Sequence, residues 1–251
     1  MGRGTVDATQ LRQPRADQAR RVADVLRRQL HSYAQVLPTE QQLAAEFAVS
    51  RNSVREALAL LRDEGLIERG RKVGTRITQP KFEHGLDVLL GLRETLKGHG
   101  DVRNEVRVAQ LITPPPAVAR RLQLRASERA VYVERLRYLG DLPLSLDLTY
   151  LAPDIGLEVI ARDLEHNDVF ALIESVSGDH LESADLALEA ITADAHSAAT
   201  LQVPEGAPLL FLERLTRLSG ERPVDLEYIR MRGDRITMRG SLVRTPSEEQ
   251  S

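Results

Sequence analysis

The sequence predicts an α+β chain in two parts: a small, basic, helical head and a larger body of mostly antiparallel sheet with flanking helices. Three observations carry this. Residues 37–78 hold two short stretches with apolar residues at helical spacing, then a basic turn containing glycine. Further on, apolar-alternating stretches recur at 130–139, 142–151, 181–192, 208–218, 223–231 and 236–243, joined by turns such as Gly140-Asp141 and Ser219-Gly220. Charge divides with them: residues 1–80 carry 14 Lys/Arg against 9 Asp/Glu, and residues 81–251 carry 20 against 28. A basic head on an acidic body fits phosphate contact by the head alone.

Composition narrows the class. An apolar content of 42% supports packed cores, and 28% charged residues suit a hydrated surface. There is no apolar run long enough for a membrane span. The start, MGRGTVDATQLRQPRAD, lacks the apolar centre of a secretion signal. With no cysteine there is neither a disulfide framework nor a thiolate metal site. The expectation is a soluble cytoplasmic protein with no cofactor, no metal and no membrane partner.

In chain order, residues 1–15 are polar with Gly and Pro and are predicted to be a disordered tail. A first domain is expected over residues 16–79. Its first helix, from Asp17, lines Val22, Val25, Leu26 and Leu30 along one side. A second, roughly Glu40 to Phe47, buries Leu43, Ala44 and Phe47. After the short Ala48-Val49-Ser50 link, Ser50 caps a third helix starting at Arg51. Val54, Ala57, Leu58 and Leu61 form its buried face, and Asn52, Arg55 and Ala59 point away, with Arg51 on the flank. Gly65 ends that helix in a left-handed cap. Leu66-Ile67-Glu68 and Thr75-Arg76-Ile77 then read as two strands joined through Gly70 to Gly74. This is a winged helix-turn-helix, a unit that lays its second helix in the major groove. Arg51, Asn52, Ser53 and Arg55 are the donors at the end nearest the bases, and Arg69, Arg71 and Lys72 are placed to meet phosphates.

At these residues, LPTEQQLAAEFAVSRNSVREAL is similar to the LPSE-x-x-LA…VSR-x-TVR-x-AL pattern of the GntR superfamily of bacterial transcription regulators. The resemblance implies contacts to double-stranded DNA from Thr39, Glu40, Arg51, Asn52, Ser53 and Arg55, and from Arg71, Lys72, Gly74 and Thr75 in the wing. The family usually has Gly-x-Gly-Thr there. This chain has Lys72-Val73-Gly74-Thr75, with Lys72 in place of the first glycine.

Residues 80–102 are expected to be a linker carrying a helical stretch from Leu86 to Leu96. A strand at 103–111 follows, then a helix after Pro114-Pro115-Pro116, and helices at 154–163, 168–176 and 194–202. Over roughly residues 81–245 this order resembles the UTRA effector domain of the HutC subfamily of GntR regulators, with the domain itself expected at residues 103–245. The Arg-Leu-Arg before a turn and Leu-Pro, and the closing Arg-Gly-Asp-Arg of residues 232–235, carry the likeness. The resemblance implies a chorismate-lyase-like fold, effector binding and dimerisation.

Arg135 and Arg137 lie two apart in a strand, so they share a face with Val131 and Val133. Two arginines on an apolar face are costly unless something meets them. Either an anionic ligand is held by guanidinium contacts, or acids such as Asp147 and Asp225 pair with them internally. The family uses such a pair to hold acidic or phosphorylated small molecules, a sugar phosphate or an organic acid. The resemblance also implies effector contacts from Gly91, Leu92 and Arg93, where the family often has Ser-Phe-Thr. It adds Asp147 and Asp225 in place of Glu, Asp168 and Phe170 in a Ser-Leu-Tyr pattern, and Met231 in place of Tyr. So many replacements predict a ligand other than an amino-sugar phosphate. The six histidines show no metal-ligand spacing, and no Gly-rich phosphate loop or nucleophile elbow occurs, so catalysis is not expected.

The reading is a sequence-specific regulator, a repressor acting as a homodimer on a near-palindromic operator and released by a small anionic metabolite. The competing reading is a regulator without a small-molecule ligand, whose C-terminal domain only dimerises or meets a protein partner.

Overall fold

The structure, a computed structural model, describes residues 15–33, 35–70, 74–78 and 81–243. The chain divides into two compact units, Met1–Pro80 and Lys81–Ser251. The expected tail over residues 1–15 lies almost wholly outside the described residues, as do Arg71 and Lys72 of the wing.

The first unit contains α1 (Arg15–Gln29), α2 (Glu40–Glu46), α3 (Arg51–Asp63), β1 (Ile67–Gly70) and β2 (Gly74–Ile77). Thr39 caps α2 in a reciprocal capping box with Gln42. Between α2 and α3, Ala48 takes a left-handed φ of 51°, which lets the Val49 amide reach back to the Ala44 carbonyl at 3.1 Å. Ser50 caps α3, and Gly65 follows that helix at φ +71°. Leu26, Leu43, Val54, Ala57 and Leu61 are fully buried together, with Leu66 and Ile67 closing the core. Val25, expected in that core, is 39% exposed. The stripe that α1 buries runs instead through Ala19, Val22, Ala23, Leu26 and Leu30, because small alanines let α1 lie close against α3. β1 and β2 pair antiparallel, Gly70 opposite Gly74.

The second unit is built on a six-stranded antiparallel sheet, order β4-β5-β6-β9-β8-β7. Its strands are β4 (Val102–Ile112), β5 (Ala130–Leu139), β6 (Leu142–Leu151), β7 (Leu181–Thr192), β8 (Pro208–Leu218) and β9 (Arg222–Arg232). A short parallel pair, β3 (Phe82–Gly85) with β10 (Ile236–Arg239), stands apart from it. The helices are α4 (Leu92–Thr95), α5 (Pro116–Arg121), α6 (Pro153–Val159), α7 (Val169–Ser177) and α8 (Ala195–Leu201). α6 and α7 pack Ile155, Val159, Val169 and Ile173 against Val131, Val133 and Leu151. Beside this cluster, Leu92 and Leu96 meet Leu144, Leu212, Ile229 and Met231.

The segment expected to be a linker, 80–102, therefore differs from that reading: it supplies a strand and part of a core. The long helix expected from Leu86 to Leu96 shrinks to Leu92–Thr95. Side chains claim the backbone groups that a helix over 86–90 would use. Arg214 Nη1 donates to the Leu90 carbonyl at 3.3 Å, and Gly91 N donates to Glu94 Oε2 at 3.0 Å.

Candidate functional site

In the first unit, the exposed side of α3 carries Arg51, Asn52 and Arg55. Arg55 Nε donates to Glu40 Oε2 at 2.7 Å, and Arg51 Nη2 to Gln41 Oε1 at 2.7 Å, so both guanidinium groups are steered from α2. A cleft of about 440 Å³ lies between these elements, lined by Glu40, Arg55, Arg62, Glu68, Arg69 and Thr75. Gly74, at φ +89°, opens β2 where a side chain would be strained. Ser53 stands apart from its neighbours. It is fully buried, its hydroxyl 2.9 Å from that of Ser50 and 3.4 Å from Gln18 Oε1. It serves the helix start rather than offering a donor outward. Spacing held the signal, since Ser53, Ala57 and Leu61 fall at i, i+4 and i+8 on one stripe.

In the second unit, the strand registers lay out one sheet face in rows. Val131, Leu151, Asp225 and Thr216 form one; Val133, Thr149, Glu227 and Arg214 the next. Arg135, Asp147, Ile229 and Leu212 follow, then Arg137, Ser145, Met231 and Leu210. A diagonal of charge thus crosses a face whose other residues are apolar or hydroxyl-bearing, between the two clusters described above. Arg214 and Glu227 belong to it, although sequence reasoning singled out neither. Glu227, between Leu226 and Tyr228, carries the alternation of a buried strand position, whereas Arg214, in the mixed run Glu213-Arg214-Leu215-Thr216, carries no such signal.

The charges are partly matched. Arg137 Nη2 donates to Asp147 Oδ2 at 2.8 Å, and Ser145 Oγ donates to Asp147 Oδ1 at 2.6 Å. Burial alone would raise the Asp147 pKa, but Arg137 and Arg135 outweigh it and hold the carboxyl below its usual range. Arg214 donates through Nε and Nη2 to Glu227 Oε2 at 2.9 and 2.5 Å, and stacks 4.3 Å from the Phe170 ring centroid. Arg135 is the exception. It is fully buried, 3.9 Å from Asp147 Oδ2, and Nε, Nη1 and Nη2 all lack a hydrogen-bond partner among the described residues. Both oxygens of fully buried Asp225 are likewise unpartnered. Burial, reinforced by Glu227, pushes Asp225 well above the usual carboxyl pKa.

The remaining expected positions divide. Asp168 is buried before α7, and its Oδ2 accepts from the Arg93 amide at 3.3 Å and lies 3.9 Å from Arg137 Nη1. Gly91 caps α4 against that carboxylate. Leu92 and Met231 are core residues, 7% and 2% exposed. The Arg93 side chain turns from the charged face to donate to the Val102 carbonyl. A small cleft of about 110 Å³ reaches the cluster at Arg214, lined also by His84, Leu86, Leu90, Leu186 and Leu212.

Residues 98–237 match the UTRA domain, and residues 18–77 match the bacterial regulatory proteins of the gntR family. The HTH-type transcriptional repressor NagR of Bacillus subtilis (strain 168) is 28% identical over 202 residues, covering 80% of this chain and 83% of the relative. The histidine utilization repressor of Pseudomonas aeruginosa is 24% identical, covering 72% of each. Among solved structures, PhnF from Mycobacterium smegmatis superposes with a TM-score of 0.66 at 22% identity, over 89% of this chain and 100% of that one, which shows the fold. With the UTRA match spanning more than half of its residues behind a gntR helix-turn-helix, the chain belongs to the GntR family, as a HutC-type DNA-binding transcription regulator.

Proposed function

We propose that the chain is a homodimeric repressor whose UTRA domain takes a small molecule through an acidic group on Arg135, and that this binding releases a near-palindromic operator. One observation carries the ligand half of the reading: a fully buried guanidinium with every nitrogen lacking a hydrogen-bond partner. Such a group costs several kcal/mol unless an anion completes it. On the DNA side, Arg51, Asn52 and Arg55 read base edges, Glu40 aims Arg55, and Thr39, Gly74 and Thr75, with Arg71 and Lys72 of the wing, set the register on the backbone. The relatives named as repressors support the direction of control, and a two-fold dimer matches two half-sites. Ligand and operator are then coupled, each weakening the other's affinity by the same factor.

The test is a thermal-unfolding screen of the full chain against organic acids, phosphate esters and amino acids, repeated with Arg135→Ala. A stabilising compound that fails on the variant and weakens binding to the regulator's own upstream DNA supports the reading. Silence across the screen favours the second reading, in which the domain only dimerises. The pairs Arg137–Asp147 and Arg214–Glu227 speak for that reading, because they already give two of the three buried arginines on this face a carboxylate partner.

A further inference from the structure

Resting on the pocket reading above, we infer that the ligand is a zwitterion, an amino acid or a close derivative, with its acidic group on Arg135 and its ammonium on Asp225. The same geometry makes this chain reject phosphate esters.

Part of the charged face is already engaged by the protein itself. Arg137 faces two carboxylates, Asp147 at 2.8 Å and Asp168 at 3.9 Å. Asp168 fills the space against Gly91 so fully that a Cβ there would lie 2.0 Å from Oδ2. The same Oδ2 takes the Arg93 amide hydrogen. An anion supplied by the protein itself therefore stands between Arg137 and the 91–93 backbone. A phosphate dianion brought there would meet a fixed negative charge at contact distance, buried where repulsion is strong. Phosphate is excluded from that side of the face.

What is left over points to two opposite charges. Among the described residues, the Arg135 donors meet no hydrogen-bond acceptor and the Asp225 acceptors meet no donor. Both are fully buried on the same sheet face, two strands and two rows apart in the register. A simple carboxylate would satisfy the first and leave the second unmet. A simple amine would do the reverse. A molecule carrying both groups meets both, and its ammonium favours the ionised Asp225 carboxyl against the burial that raises its pKa. Thr216, in the row of Asp225, and Thr149, in the next row, are fully buried and add hydroxyls without adding charge.

The experiment follows thermal unfolding of the full chain with matched probes: the proteinogenic amino acids, their des-amino acids such as propionate and succinate, inorganic phosphate and glycerol phosphate. One or more amino acids should stabilise the chain while the matched des-amino acid does not. Asp225→Asn should weaken that binding roughly tenfold to hundredfold. Asp168→Ser, which removes the internal carboxylate, should make inorganic phosphate stabilising where the unaltered chain ignores it. If phosphate or glycerol phosphate stabilises the unaltered chain and Arg135→Ala abolishes this, the zwitterion assignment is overturned and the pocket reading stands. Equal effects of an amino acid and its des-amino partner overturn it too. Silence from every probe, in the unaltered chain and in a well-folded Asp168→Ser, overturns the assignment and the pocket reading together. The matched pairs keep the test decisive even if Asp225→Asn fails to fold.

Discussion

Glu40 on α2 holds Arg55 on α3 through a 2.7 Å contact between Oε2 and Nε, and both side chains remain open to solvent. An exposed pair of this kind contributes about 0–1 kcal/mol, so its value lies in aiming Arg55 rather than in holding the helices together. Glu40→Gln should therefore leave the melting temperature nearly unchanged. It should raise affinity for random DNA, since a negative charge is gone from the face, and lower the ratio of operator to random binding, since Arg55 is no longer aimed. Arg55→Ala should remove operator binding while the fold survives. Fluorescence anisotropy with operator and scrambled duplexes, at more than one salt concentration, measures both.

Ser50 and Ser53 share the start of α3, and their roles separate on substitution. Ser50 Oγ accepts from the Ser53 amide at 3.1 Å, so Ser50→Ala should cost about 1 kcal/mol of stability, the usual value of an N-cap. Ser53→Ala removes a buried hydroxyl, not an outward donor. Operator affinity, corrected for the folded fraction in chemical denaturation, should stay within about twofold of the parent, well short of the 1–3 kcal/mol of a lost base contact. A loss as large as that of Asn52→Ala would return Ser53 to the base-reading set.

The sheet was legible because each strand announces itself locally. Alternation in 130–139 and 142–151 is broken by Gly140, which takes φ 57° at the turn, and 208–218 and 222–232 meet at Gly220 with φ 74°. The head was legible for a similar reason, its caps and apolar stripe being written within some thirty residues. What escaped depends on pairing across long distances. Arg214 acquires its meaning only when β8 is set beside β9 and Glu227 falls opposite it. Segment 86–90 has helical spacing but loses its carbonyl at Leu90 to an arginine 124 residues away. Spacing along one strand placed Arg135 and Arg137 on a shared face, yet nothing in the spacing says that Asp147 reaches hydrogen-bond distance of Arg137 only.

The Arg214–Glu227 pair yields a stability prediction. Both are buried, and burial, which would lower the Arg214 pKa, is outweighed by Glu227, so the guanidinium is held charged. Glu227→Ala would strand that charge beneath Phe170 and should cost about 3–5 kcal/mol, whereas replacing both partners, Arg214→Met with Glu227→Leu, should recover most of it. Urea titrations of Arg214→Met, Glu227→Leu and the two combined close the cycle. Additive costs would mean that the two side chains do not stabilise one another.

His84 gives the acid limit of the second unit. Its Nδ1 lies 2.8 Å from Thr95 Oγ1, and burial, aided by Arg214 and Arg137 and opposed by Asp168, lowers its pKa from 6.5 to about 4. A histidine with a depressed folded pKa favours the folded state above its unfolded pKa, and that contribution drains away as pH falls towards the folded value. Stability should thus decline between pH 6.5 and about 4, by an amount on the order of 3 kcal/mol from this residue. Asp147 pulls in the same sense further down, because Arg137 and Arg135 overcome its burial and depress it. His84→Gln keeps a group able to bond Thr95 and cannot charge. Its urea midpoint should fall less than the parent's over that pH window and keep a constant offset from it above pH 6.5. Parallel curves for the two proteins would mean that His84 protonates in the folded state as easily as in the unfolded chain, and that burial at β3 does not set the acid limit.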